Sequence, residues 1–404
     1  MHHCSLFRST LTLPITIATL AATAHAQGPA FQSPGISPYS QRGQVNRFST
    51  EFNPAIGGVI DGLIEYDDAD RDRWDAYLRL IEINASAYVD PDLWAWVVLT
   101  AEGEDAAPEV EEAGAEYLGF DSNVTIKAGR FFLDFGKQMQ FHVEELRTFR
   151  RPLVLREYLG EELGGDGVQV DWWTPLGDNT PFRVSAGMFG SLFDAHDHEG
   201  EELGLEPEGA AGPREDLTDL SFTARMTVMH ELSESQTIQA GASWRYLPEY
   251  TLAAEDGSAE ADGLSNSVYG LDLTWGWTGE TGVERALLGS EFLWYDGDLS
   301  GEFDDPNNPT VIEVANGTAA GFMVYADYAW NQNWSAGVQY SEAEMLEGGT
   351  DSSELDFYLT WHQTEFRRLR LGTIHTETDG EGDSSLVYLQ ATAFLGSHTH
   401  AINW

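Results

Sequence analysis

Between Thr125 and Asp166 the chain gathers Lys127, Arg130, Lys137, Arg147, Arg150, Arg151 and Arg156, seven of its 21 Lys and Arg residues, in a molecule of formal charge −46. Guanidinium groups grip carboxylate or phosphate through paired hydrogen bonds, so several of them facing one aqueous passage select anions. Glu144, Glu145, Glu157, Glu161 and Glu162 stand beside the arginines in the same stretch. Two chemistries are therefore open to Arg147, Arg150, Arg151 and Arg156: presenting charge to a passing anion, or neutralising the neighbouring glutamates. Lys127 falls on the polar phase of its strand and could complete a basic ring. Arg130 falls on the opposite phase unless a bulge near Ala128-Gly129 resets the strand. Arg183, Arg225, Arg245, Arg368 and Arg370 are further basic residues on polar phases.

A second constellation is His196-Asp197-His198-Glu199, whose two imidazoles and two carboxylates are zinc-type ligands. Adjacent residues in a loop seldom close a four-ligand site unaided, and a solvated acidic loop is the bland reading of the same residues. The acidic runs 102–112, 199–208 and 255–262 could hold divalent cations that bridge to anionic surface lipid, or could simply hydrate the surface. No other cofactor is implied.

The elements that must position these residues are short alternating segments. About 16 strands of roughly 8–14 residues are read from the period-2 pattern, near the ~9–11 residues that a tilted membrane strand needs. They cover 48–66, 77–89, 93–102, 110–119, 124–135, 167–174, 181–190, 219–231, 236–246, 267–278, 283–295, 319–330, 334–342, 354–363, 367–377 and 385–395. In one of them Leu220, Phe222, Ala224, Met226 and Val228 alternate with Ser221, Thr223, Arg225 and Thr227. Alternation of this kind suits both a barrel with a wet lumen and a soluble β-sandwich.

The connections separate the two. Short turns (90–92, 120–123, 175–180, 232–235, 279–282, 331–333, 364–366) alternate with longer loops, and the third long one, 136–166, is the longest. Short turns at one end and long loops at the other describe an up-and-down outer-membrane barrel. Trp94, Trp96, Trp172, Trp173, Trp275, Trp277, Trp330, Trp334 and Trp361 lie within a few residues of short turns, and Trp404 ends the chain. This is the pattern of an interfacial tryptophan girdle.

Composition bounds the remainder. Residues 1–26 read as a signal peptide, with Arg8 before the apolar stretch Leu11 to Ala22 and an Ala24-His25-Ala26 cleavage site. Residues 27–46, rich in Pro, Ser, Gln and Gly, read as a flexible periplasmic lead-in, and 47–404 as the barrel. Cys4 leaves with the leader, so thiol chemistry is excluded from the mature chain. The acidity excludes nucleic acid as a partner, because phosphate contacts depend on Lys and Arg. Beyond the leader no stretch has the ~18 apolar residues of a membrane helix.

The stretches Phe52-Asn53-Pro54-Ala55-Ile56-Gly57-Gly58-Val59-Ile60-Asp61-Gly62, Ala128-Gly129-Arg130-Phe131-Phe132-Leu133-Asp134-Phe135-Gly136 and Arg151-Pro152-Leu153-Val154-Leu155-Arg156-Glu157-Tyr158-Leu159-Gly160-Glu161-Glu162 resemble the outer-membrane porins related to the phosphate-selective porin O and P group. The resemblance implies a 16-stranded barrel, often a homotrimer, that passes small anions. It also extends to relatives labelled zinc-regulated outer-membrane proteins.

The sequence therefore predicts an all-β protein: a 16-stranded antiparallel transmembrane β-barrel with an inward-folded third loop, embedded in outer-membrane lipid and lipopolysaccharide. The expected function is diffusion of small hydrophilic solutes, chiefly anions, past a pore constriction of Arg147, Arg150, Arg151, Arg156, Lys127, Arg130, Glu144 and Glu145. The alternative is a zinc-related outer-membrane protein built on His196, Asp197, His198 and Glu199. An energy-coupled receptor needs about 22 strands and a plug, which the length does not accommodate. A barrel hydrolase needs a positioned His with a Ser or Asp, and no triad spacing is visible.

Overall fold

The computed structural model describes residues 54–396, apart from 69–72, 103–106, 121–122, 195–204, 209–216, 255–259, 304–311, 347–348, 365 and 381. The expected leader, the lead-in and Trp404 lie outside the described residues. The strands are β1 (Ala55–Asp67), β2 (Arg73–Asp90), β3 (Leu93–Glu102), β4 (Ala107–Tyr117), β5 (Val124–Phe132), β6 (Leu163–Gly177), β7 (Thr180–Asp194), β8 (Leu205–Glu208), β9 (Ser221–Ser233), β10 (Gln236–Ala254), β11 (Glu260–Thr278), β12 (Arg285–Phe303), β13 (Ile312–Ala329), β14 (Trp334–Glu344), β15 (Asp351–Thr364), β16 (Arg367–Thr378) and β17 (Gly382–Gly396).

Each long strand pairs antiparallel with its neighbours, and β1 closes the sheet on β17 in a register running from Gly57 opposite Gly396 to Asp67 opposite Leu386. The four-residue β8 pairs along the end of β10, while β7 pairs directly with β9. Sixteen strands thus form the closed wall, as expected. Closure matters because a membrane offers no partner for the free N–H and C=O groups of a sheet edge.

Burial decides between sandwich and barrel. The polar phase is the buried one: Asp61, Glu82, Arg225, Asp272, Glu291, Gln339, Asp356 and Arg370 are hidden. The apolar phase is the exposed one, with Ile60, Val170, Met226, Leu271, Leu288, Phe357 and Leu371 facing outward. A soluble sandwich would have the opposite arrangement, since its apolar faces form the core. A lipid-facing barrel has this one.

Several strands exceed their expected length. β10 and β11 run on together to Ala254 and from Glu260, and β12 and β13 to Phe303 and from Ile312. Beyond the membrane both faces of a hairpin meet water, so the ladder continues where the apolar–polar alternation that marks a strand has stopped.

The tryptophan expectation holds in part. Trp172 and Trp330 are exposed on the outer face, and Trp330, Trp334 and Trp361 stack in a row with centroids 6.4 and 5.9 Å apart. Trp94 and Trp96 are a correction: both are buried on the inner face of β3, stacked at 4.9 Å. Their position along the chain is that of a girdle, but their strand phase turns them inward, where the Trp96 indole N–H donates to Glu112.

Residues 133–162 join β5 to β6 and contain a 3-10 turn at Val143–Glu145 and a helix, α1 (Leu153–Leu159). Pro152 precedes the helix, a residue whose fixed φ suits a helix start. Gly160 ends it at φ +85°, a backbone conformation that glycine adopts without strain. Val154, Leu155 and Leu159 bury themselves in a cluster that includes Phe135, Met139, Val268, Leu293, Met323 and Ala343. Burying each such side chain is worth about 1.5–3 kcal/mol, which accounts for apolar residues on the otherwise polar phase of β11, β12 and β13.

Candidate functional site

The segment 133–162 is hydrogen-bonded to inner-face side chains of strands far from its own ends. The Gly136 N–H donates to Ser243 on β10 (3.0 Å), the Gln138 N–H to Glu291 on β12 (2.8 Å) and the Val154 N–H to Ser341 on β14 (3.0 Å). From the other side of the segment, Arg79 on β2 donates to the Phe149 carbonyl at 2.7 Å. On β16, Arg370 donates to the carbonyls of Leu146 (2.8 Å) and Thr148 (3.0 Å), and Arg368 to that of Glu144 (2.5 Å).

The four arginines of the segment divide into two kinds. Arg151 is wholly buried and donates to the carbonyls of Gln138, Phe141 and Glu161, with Glu162 3.3 Å from its guanidinium. It is a cross-brace that satisfies backbone acceptors within the segment. Arg150 and Arg156 both reach Glu354 on β15, at 2.7 and 2.5 Å, and Arg156 also lies 3.7 Å from Glu161. The charges of these three are matched by carboxylates.

Arg147 differs. Its guanidinium lies over the Tyr325 ring, 4.4 Å from the centroid, and it forms no ion pair with any carboxylate among the described residues. It lines a cleft together with Glu145, Asp327, Tyr358, His362, Arg368 and Arg370. Arg368 and Arg370 likewise have no carboxylate within ion-pair distance among the described residues; their partners are carbonyls, Thr392 and the Gln390 side chain. Asp327, the nearest acid on β13, accepts from the Tyr358 hydroxyl at 3.0 Å.

Lys127 is buried on the inner face of β5, its ammonium 3.9 Å from the Phe131 ring centroid. Arg130 is not brought to this group. The pairing of β5 with β4 and β6 runs without a bulge, so Arg130 keeps the outer phase, part-exposed, and its guanidinium holds Asp166 at 2.9 Å. Glu144 and Glu145 are both buried. His196, Asp197, His198 and Glu199 lie outside the described residues.

Two basic groups of the segment carry shifted protonation. Burial, then the charge of Arg147, pulls Lys137 down to about 8. Burial opposes a charge on His142, but Glu111, 2.8 Å away, outweighs it and lifts the imidazole well above its ordinary range. Arg368 and Arg370 show how sequence reading finds such a site: strand phase marks them as inward-facing, yet nothing local ties them to Arg147. Asp327, Tyr358 and His362 line the same cleft, and nothing in their local sequence singles them out from other residues of their strands.

No known family pattern matches this sequence. A curated relative, an uncharacterized protein of Aquifex aeolicus, is 27% identical over 314 residues, covering 73% of this chain and 62% of that protein, so the chain spans less than two thirds of the relative's length. Among solved structures, a loop-deleted OmpT, an outer membrane protein of Vibrio cholerae, aligns over 84% of this chain and 98% of its own with a TM-score of 0.54 at 13% identity. The fold is that of an outer-membrane barrel. An anion-selective porin from Comamonas acidovorans aligns equally well, over 85% of this chain and 99% of its own, with a TM-score of 0.54 at 10% identity. At such identities the likeness is one of architecture, and the fold it shows is the sixteen-stranded wall described above.

Proposed function

We propose that the chain is a diffusion porin for small hydrophilic anions, narrowed by its third loop, 133–162. Barrels of this strand number enclose a water-filled passage, and the solved neighbours of the same architecture include a porin named as anion-selective. The observation that carries the selectivity is the cleft at Arg147, Arg368 and Arg370, three guanidinium groups with no carboxylate in ion-pair distance among the described residues. An anion passing there meets three guanidinium groups against the two carboxylates, Glu145 and Asp327, that line the same cleft. In this reading Arg147 is the loop's contribution to the filter, with Glu145 beside it. Arg150, Arg151 and Arg156 hold the constriction in shape, and Lys127 adds basic charge further along the wall.

Kinship with the phosphate-selective porin group is supported by the residues 128–136 and 151–162, which build the end of β5 and α1. One neighbouring OmpT structure of Vibrio cholerae is described in a trimer form, and a homotrimer is the assembly proposed for this chain. The test is reversal potential across a planar bilayer under a salt gradient. Anion preference in the wild type, reduced or reversed by Arg147→Glu, is the expected result. Absence of conductance would remove the porin reading, and cation preference insensitive to position 147 would remove the arginine filter.

A further inference from the structure

We propose that Glu82 of β2, Glu111 of β4 and His142 of the third loop form a buried binding site for one first-row divalent cation of the Zn²⁺ kind, which would tie that loop to the barrel wall. Each offers one ligand atom, and these atoms lie within 4.8 Å of one another. His142 Nδ1 is 2.8 Å from Glu111 Oε1 and 3.9 Å from Glu82 Oε2. Metal–nitrogen and metal–oxygen bonds of about 2.0–2.2 Å span such a set after side-chain shifts of about an ångström. The donor set of one imidazole and two carboxylates suits Zn²⁺ and its neighbours better than Ca²⁺ or Mg²⁺, which favour oxygen alone.

Three features beyond the ligand spacing point the same way. The second ring nitrogen of His142 faces Glu112 Oε1 at 3.6 Å, and Glu112 is itself held by the Trp96 indole. A carboxylate on the far nitrogen of a ligating histidine is the usual outer support of a metal site. Glu111 is shut off from solvent, and its Oε2 has no hydrogen-bond partner among the described residues. Glu82 is oriented by the Asn84 amide, which donates to its Oε1 at 2.7 Å, leaving the other oxygen on the His142 side.

The surroundings are rich in carboxylates. Glu82, Glu111, Glu112, Glu144 and Glu162 converge here, all buried. The arginines at hand are engaged: Arg151 on Glu162, and Arg79 on Asp61 at 2.6 Å. Carboxylates brought this close repel one another, and a cation between them relieves that repulsion. A divalent cation supplies two positive charges where the ligand atoms meet. The Phe132 ring, 4.6 Å from the imidazole, closes the site on the strand side.

The site is separate from the arginine cleft and does not rest on the anion reading. The test is calorimetric titration of the full-chain barrel in detergent with ZnCl₂ after treatment with a chelator. Wild type, His142→Gln, Glu111→Gln and a His196→Ala/His198→Ala control are compared. Wild type should bind one ion tightly, the His142 and Glu111 variants at least 100-fold more weakly, and the control as wild type. Co²⁺ in place of Zn²⁺ should show a visible ligand-field spectrum that is lost in His142→Gln while the far-UV circular dichroism of that variant stays as in the wild type, which separates lost coordination from lost folding. No tight binding by wild type, or tight binding abolished in the His196/His198 control and unchanged in folded His142→Gln or Glu111→Gln, overturns the proposal.

Discussion

Arg147 of the third loop lies with its guanidinium 4.4 Å from the ring centroid of Tyr325 on β13 and has no carboxylate partner among the described residues. The ring positions the charge without cancelling it, since a cation over an aromatic face is held by the ring quadrupole rather than by an opposite charge. Replacing Arg147 with Glu should therefore move the reversal potential under a salt gradient toward cations. Replacing it with Lys should keep the sign of the preference. An unchanged potential in Arg147→Glu would count against the filter.

Glu354 on β15 accepts from Arg150 at 2.7 Å and from Arg156 at 2.5 Å. Glu354→Gln removes the carboxylate that matches two guanidinium groups. The same bilayer measurement should then show a stronger anion preference than the wild type. A weaker preference would indicate that these arginines depend on Glu354 for a position they need in the pore.

Arg151 should behave as a structural residue. Its guanidinium is buried against three carbonyls and Glu162, so Arg151→Met leaves Glu162 without its guanidinium and the carbonyls without donors. Breaking one partner of a buried pair costs about 3–5 kcal/mol. Denaturant unfolding in detergent should register a loss of that size, whereas Arg147→Met should change stability far less.

Lys137 gives the pore a titration at ordinary pH. Burial lowers its pKa to about 8, with Arg147 adding to the effect. Raising the pH from 7 to 9 should discharge it and reduce anion preference, and Lys137→Arg should flatten that step. The sign for stability follows from linkage. Between about 8 and its unfolded value near 10.4 the unfolded chain binds more protons at this position, so this lysine makes folding more favourable as pH rises through that window.

The seat of α1 is testable at Gly321. A Cβ built there would lie 2.6 Å from Val154 Cγ2 and 2.6 Å from the Glu342 carbonyl oxygen. Gly321→Val should push the helix from the wall, at a cost of about 1–3 kcal/mol for overpacking. Single-channel conductance should change with it, and a variant with wild-type conductance would show that α1 does not set the width.

What could be read from the chain alone was set by local periodicity and by the lengths of connections. A β-strand turns its side chains to alternate faces, so Leu220 to Val228 declares two faces wherever it sits, and alternating short and long connections order such strands into an up-and-down wall. The run 136–166 was legible for the same reason, as the longest of the longer connections. Local signals failed where phase overruled position. Trp94 and Trp96 stand beside a turn yet point inward, whereas Arg130 keeps the outer phase that its alternation gives, because the ladder around Gly129 has no bulge.

The roles within the loop were decided only by tertiary structure. Arg147, Arg150, Arg151 and Arg156 are alike in type and lie within ten positions, so sequence leaves each of them free to face either the passage or a glutamate. The partner that neutralises Arg150, Glu354, is 204 residues away along the chain, and the arginines that flank Arg147 lie on β16. Charge interactions depend on distance through space and not on separation along the chain. Strand order and loop length could therefore be deduced from the sequence by itself, whereas which of its charges remain free depended on the closure of the barrel that brings residues 147, 325, 354 and 370 together.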